Sequence, residues 1–244
     1  MKKGMYKYFL ENEGKHWWHV GKYDCIVRLL RRTTISRPKL LELGSSFGFL
    51  AKLCNEFADS FALDHNYDVI KMGKYKPSIC GDAMKLPLKN QGFDIVIALD
   101  LLEHLKSDSS CVQEVIRVLK PKGKFFIWVP AYPILWSDLD EIGNHYRIYT
   151  PRSLKTLLCT FPDIKIIKFT HINFFLFIPI LVSRIFQKIL KKKFKTISTE
   201  SMKIPPEPIN YILKKIFLLE SRLVYRLNFP IGVSLIAIVE KKAR

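Results

Sequence analysis

Residues 40–50 read Leu-Leu-Glu-Leu-Gly-Ser-Ser-Phe-Gly-Phe-Leu, an apolar run that takes in a carboxylate and then breaks into a glycine-containing turn before a second apolar segment. A buried strand, Lys39 to Leu43, followed by a tight turn into a helix has this form. Such a turn presents backbone N–H groups and a helix N-terminus to a ligand above the sheet edge. Gly44 permits the turn and the close approach of a ligand, and Gly48 permits close packing of the helix that follows. Taken alone, the same glycines serve an ordinary turn, so the flanking sequence has to decide.

Working outward, residues 39 to 130 alternate short apolar runs with segments of helical period, the pattern of a doubly wound α/β sheet. The runs are Lys39 to Leu43, Ser60 to Asp64, Asp94 to Leu99 and Lys124 to Val129. The last two are rich in Ile, Val and Phe, as strands buried on both faces should be. Ser109 to Leu119 places Val112, Val115, Ile116 and Leu119 on one helical face, and Pro121-Lys122-Gly123 breaks that helix. Thr150-Pro151 opens another, with Thr150 as N-cap and Pro151 in the first position. Ile164 to Thr170 and Ile231 to Glu240 read as two further strands. The first 32 residues read as one or two helices, with His16-Trp17-Trp18-His19 at their junction, a cluster suited to core packing or to covering a substrate.

The acidic residues fall in order along this frame. Asp64 ends the second run, where a carboxylate can accept both hydroxyls of a ribose. Gly81-Asp82-Ala83 follows, then Leu99-Asp100 at the end of a strand and Glu103-His104-Leu105 beyond it. In order and spacing these residues resemble the class I S-adenosylmethionine-dependent methyltransferases over roughly residues 39 to 170 and again at the last strand. That family's first turn reads Glu/Asp-x-Gly-x-Gly-x-Gly; Glu42, Gly44 and Gly48 match, and Ser46 stands in place of the middle glycine. The resemblance implies a doubly wound, mainly parallel seven-stranded sheet of α/β class. It also implies S-adenosylmethionine as cofactor, held by Glu42, Gly44, Ser45, Gly48, Asp64, Asp82, Ala83, Leu99, Asp100 and His104. A dinucleotide cofactor fits less well, because Ser46 stands where the pyrophosphate needs a glycine. Glu42 would repel a pyrophosphate, yet it attracts the ammonium of S-adenosylmethionine.

The expected organisation is a helical extension over 1–38, a cofactor-binding core over 39–172, a basic helical insertion over 173–229 and the last core strand within 230–244. The acceptor side falls to the loop Pro130 to Pro151, which resembles a branch of the family carrying a His-x-Arg-Arg-Tyr-Thr element. His145, Arg147, Tyr149 and Thr150 match, and Ile148 replaces the second Arg. His145 is a candidate general base and Arg147 a candidate clamp for an anionic part of the acceptor. A loop-pinning role for this element is the competing reading. No Asn/Asp-Pro-Pro-Tyr/Phe element follows the fourth strand, which disfavours nucleic-acid bases as acceptors.

Forty Lys and Arg against 22 Asp and Glu give a formal charge of +18, a field that favours anionic partners. Arg184, Lys188, Lys191 and Lys195 recur on one helical face, with Val182, Ile185, Phe186, Ile189 and Leu190 on the other, the profile of an interfacial helix. An anionic membrane surface and an amphiphilic or lipid-linked acceptor are therefore expected; a soluble small-molecule methyltransferase and a binding-only protein are the alternatives. The longest apolar run, Phe174 to Val182, is far short of the about 20 residues that span a bilayer. The five scattered cysteines offer no Cys-x-x-Cys pair, so neither disulfides nor a metal are expected. With no apolar leader at the N-terminus, a cytoplasmic protein is expected.

Overall fold

The computed structural model describes residues 10, 12–33, 35–136, 143, 145–194 and 204–243, and omits the side chains of 187 and 190–194. Seven strands form one sheet in the order β3-β2-β1-β4-β5-β7-β6. They are β1 (Lys39–Leu43), β2 (Asp59–Asp64), β3 (Ser78–Cys80), β4 (Phe93–Leu99), β5 (Leu119–Pro130), β6 (Ile164–Ile172) and β7 (Ser234–Lys241). β7 runs antiparallel to both β5 and β6, and the other pairings are parallel. The central strands are apolar on both sides because helices cover both faces: Phe125 through Val129 are all buried.

On one face lie α4 (Asp108–Val118) and α5 (Pro151–Cys159), whose Val112, Val115, Leu154 and Leu158 pack under β4, β5 and β7. Thr150 caps α5 by accepting the N–H of Ser153, with Pro151 in the first turn, as its sequence requires. The other face is covered by α1 (Trp17–Leu30), the short α2 (Phe49–Cys54) and α7 (Glu207–Leu223). The helix expected over Ser109 to Leu119 is found over Asp108–Val118, but the strand after it begins earlier than the expected Lys124. α4 ends at Val118, and the proline turn lies inside β5, with a register shift against β4 between Phe93 and Ile95.

The extension and the insertion share one core. Trp17 packs edge to face with Phe217 of α7, ring centroids 6.1 Å apart, and its backbone N–H donates to Asn210 Oδ1 at 2.9 Å. The aromatic cluster at residues 16–19 therefore begins a packed helix, with His16 Nδ1 accepting the N–H of Trp18. α6 (Phe177–Phe194) follows β6, and the segment that leads into it is tied to α7 through Glu220. That buried carboxylate accepts the N–H groups of Phe174 at 2.9 Å and Phe175 at 3.2 Å. Burial raises the Glu220 pKa, and these backbone donors oppose the rise.

Candidate functional site

In an open α/β sheet, ligands bind beyond the carboxyl ends of the strands where the strand order reverses, here between β1 and β4. Glu42, Gly44, Asp64 and Asp100 gather along that edge. Gly44 has φ 65°, and a Cβ there would meet Leu101 Cδ1 at 2.9 Å. Ser46 takes φ 51° in the position where the family carries glycine, a left-handed backbone that costs a β-carbon residue about 1–2 kcal/mol. Its N–H is aimed at Asp64 Oδ2, 2.9 Å away, while Asp64 Oδ1 accepts the N–H of Asn66 at 2.9 Å. Gly48 has φ 73° and caps α2, which starts one residue later. Both glycines are thus required by backbone geometry.

Glu42 is buried, and its Oε2 accepts the N–H of Ala51 at 2.9 Å. Desolvation pushes its pKa up to about 8, the Ala51 N–H opposes this, and the carboxylates of Glu13 and Asp64 add to it. This acid stands above its unfolded value of 4.5, so its contribution to stability is complete below that pH and is lost as pH rises through about 8. Wild-type protein is expected to lose about 1.4 kcal/mol per pH unit across that window relative to Glu42→Gln, which keeps an acceptor for Ala51. Urea melts of both proteins between pH 5 and 9 check this; parallel pH profiles would show that Glu42 stays ionised.

A residue that sequence reasoning missed enters from α1. Lys22, 7% exposed, places Nζ 2.7 Å from Asp100 Oδ2. Asp100 itself adopts φ 48°. No local pattern marks Lys22, because its partner lies in a different element; a lysine on the apolar side of α1 was the available signal. The Ser45 hydroxyl is buried beside these groups with no hydrogen-bond partner among the described residues. A polar ligand offsets such a group's desolvation.

The donor set fits S-adenosylmethionine: a buried carboxyl group at Glu42 that a neighbouring ammonium would favour in its ionised form, Asp64 for a ribose diol and Lys22 within the same charged cluster for a carboxylate. Asp82 is exposed at the end of β3 and accepts the N–H of Met84 at 2.8 Å, while Ala83 is buried in the core. Leu99 is half-buried at the end of β4.

His104 and His145 come together, their rings edge to face with centroids 4.3 Å apart, and Trp136 stacks its edge near His145 at 6.3 Å. Arg147 is engaged within the chain. It pairs with Asp108 at 3.1 Å and donates to the carbonyl of Lys106 at 2.9 Å. Tyr149 donates to the same Asp108 at 2.7 Å. Arg147 and Tyr149 thus hold the acceptor loop against the segment after β4. Residues 137–142 and 144, also in that loop, lie outside the described residues, as do 195–203, including Lys195 of the basic cluster.

Residues 41–127 match a family model described as a methyltransferase domain. An uncharacterised protein of Methanocaldococcus jannaschii is 32% identical over 118 residues, 48% of this chain and 51% of that protein. A demethylmenaquinone methyltransferase of Corynebacterium urealyticum is 28% identical over 52% of this chain and 57% of its own length. The chain thus spans little more than half of these relatives. Among solved structures, a SAM-dependent methyltransferase from Archaeoglobus fulgidus superposes with a TM-score of 0.55 over 96% of this chain and 99% of that one, at 22% identity. The fold of the two chains is the same.

Proposed function

We propose, from the premise that this chain carries a class I S-adenosylmethionine-dependent methyltransferase domain, that it methylates an oxygen of an amphiphilic or lipid-linked acceptor at the cytoplasmic face of an anionic membrane. S-adenosylmethionine, when bound, supplies an electrophilic methyl group on a sulfonium. Glu42, the Gly44–Ser46 turn, Asp64 and Asp100 hold it, and Ala83, Leu99 and His104 line its pocket. The acceptor loop sets the other wall, with the His104–His145 pair beside the acceptor hydroxyl that loses its proton. Arg147 acts by fixing that loop.

The observation that carries the acceptor class is the surface of α6. Ile178, Val182, Phe186 and Ile189 are 60–62% exposed, and Ile185 lies beside them. An apolar stripe packed on the sheet would be buried; this one faces outward, next to a helix end rich in lysine. On α7, Ile209 and Ile212 are also exposed. Burying one such side chain in a lipid interface is worth about 1.5–3 kcal/mol, and each cation near an anionic leaflet adds about 1 kcal/mol. Among the described residues no helix is long and apolar enough to cross a membrane, so the contact would be interfacial. Curated relatives named demethylmenaquinone methyltransferase support an amphiphilic, quinone-like acceptor.

Flotation with vesicles containing anionic lipid is expected to carry the protein at low salt and to release it as salt rises. Phe186→Asp, at an exposed position, is expected to weaken the association at least tenfold without lowering Tm. Labelled methyl groups from S-adenosylmethionine are expected in the lipid fraction of a cell extract. Label confined to water-soluble products would overturn the lipid-linked acceptor, and no label in either fraction would overturn the enzyme.

A further inference from the structure

Three metal-ligating side chains converge where the acceptor loop crosses the end of β4. Glu103 and His104, in the single turn Leu102–His104, meet His145 from the loop. A carboxylate oxygen and two imidazole nitrogens lie within 4.8 Å of one another. Glu103 is fully buried, and both histidines are half-buried. His104 Nδ1 stands 2.8 Å from the carbonyl oxygen of Gly143. A carbonyl only accepts, so Nδ1 carries a proton, and in the neutral imidazole Nε2 is the nitrogen with the lone pair. An imidazole oriented through one N–H by a backbone carbonyl is a common arrangement in a metal-binding histidine. The loop is anchored just after His145: Tyr146 donates its N–H to the Glu103 carbonyl at 2.8 Å, and Arg147 pairs with Asp108.

We propose that Glu103, His104 and His145 bind a divalent first-row transition cation, zinc being the best match, with one coordination position open to an oxygen of the acceptor. Two imidazoles and one carboxylate are a set that zinc, cobalt and iron share, and three protein ligands leave room for a fourth. Ligand atoms about 2 Å from one cation stand roughly 3.3 Å apart. Rotation of the His145 imidazole toward the other two ligands would narrow the remaining gap. A cation here sits over the sheet edge, three residues beyond Asp100 along the same segment. A hydroxyl coordinated to it becomes more acidic, releases its proton to solvent and remains bound as an oxyanion. The ligand set stands on the chain's own geometry; its role in deprotonation rests on the proposed methyl transfer.

The full chain, stripped with EDTA and dialysed, is titrated with Co2+ as a visible probe of the site. The expected result is d–d absorption that saturates at one equivalent and is displaced by Zn2+. His145→Ala and Glu103→Gln are each expected to weaken Co2+ binding at least tenfold, and Tyr146→Phe to leave it unchanged. Metal-free melts of each variant separate lost ligation from lost folding, and His145→Ala, in the loop, tests the site even where Glu103→Gln does not fold. Absorption that never saturates, or that survives in His145→Ala, overturns the site. Calorimetric titration with S-adenosylmethionine runs in parallel. Cofactor binding without Co2+ binding overturns the cation alone, whereas Co2+ binding without cofactor binding overturns the methyltransferase reading and leaves the site standing.

Discussion

Asp64→Ala is expected to lower affinity for S-adenosylmethionine by about two to four orders of magnitude, since each hydrogen bond to a charged group is worth about 1.5–3 kcal/mol and a ribose diol makes two. The carboxylate already holds the cofactor turn in place through Ser46 and Asn66, at 2.9 Å each, so the substitution also frees the left-handed backbone at Ser46. Asp64→Asn keeps one acceptor oxygen and is expected to recover part of the loss. Isothermal titration of the three proteins decides the matter. An Asp64→Ala variant that binds within threefold of wild type would mean that the residue serves the turn and not the ligand.

Gly73→Val is expected to be the most destabilising single change near the site. A Cβ at residue 73 would stand 2.2 Å from the carbonyl oxygen of Phe47 and 2.5 Å from its Cα. Both are backbone atoms, so no side-chain rotation relieves the overlap, and the end of α3 (Tyr67–Gly73) must part from the turn after β1. Overpacking of this kind costs about 1–3 kcal/mol or more. A loss near 3 kcal/mol in a chain of this size lowers Tm by roughly 6–12 °C. Phe47 lies between Ser46 and Gly48, so cofactor affinity is expected to fall with stability. Calorimetric melts with and without S-adenosylmethionine measure both, and an unchanged Tm would show that the turn yields freely.

Much of this frame was legible in the chain. β1 and β4 stand out as apolar runs because both of their faces are covered, and the caps at Thr150 and Gly48 are stated by local residues. β3 escaped notice because it is three residues long, at the sheet edge and only partly buried. The helix end ahead of Pro121-Lys122-Gly123 is legible, whereas the start of β5 at Leu119 is not, because a Pro-x-Gly segment reads as a turn and not as an irregular first stretch of strand. The expectation that no metal is involved followed from the cysteines alone, and His104 and His145 gave no local spacing from which ligands are recognised.

The sequence by itself determined the α/β architecture and the cofactor edge, because turns, caps and strand ends depend on neighbours a few residues apart. Tertiary structure alone decided that Lys22 reaches Asp100, that Arg147 is committed to Asp108 and that His145 lies against His104. It also decided which way the apolar stripe of α6 faces, since Glu220 of α7 fixes the backbone from which that helix departs. Those contacts join residues far apart in the chain, where periodicity carries no information and only packing selects the partner.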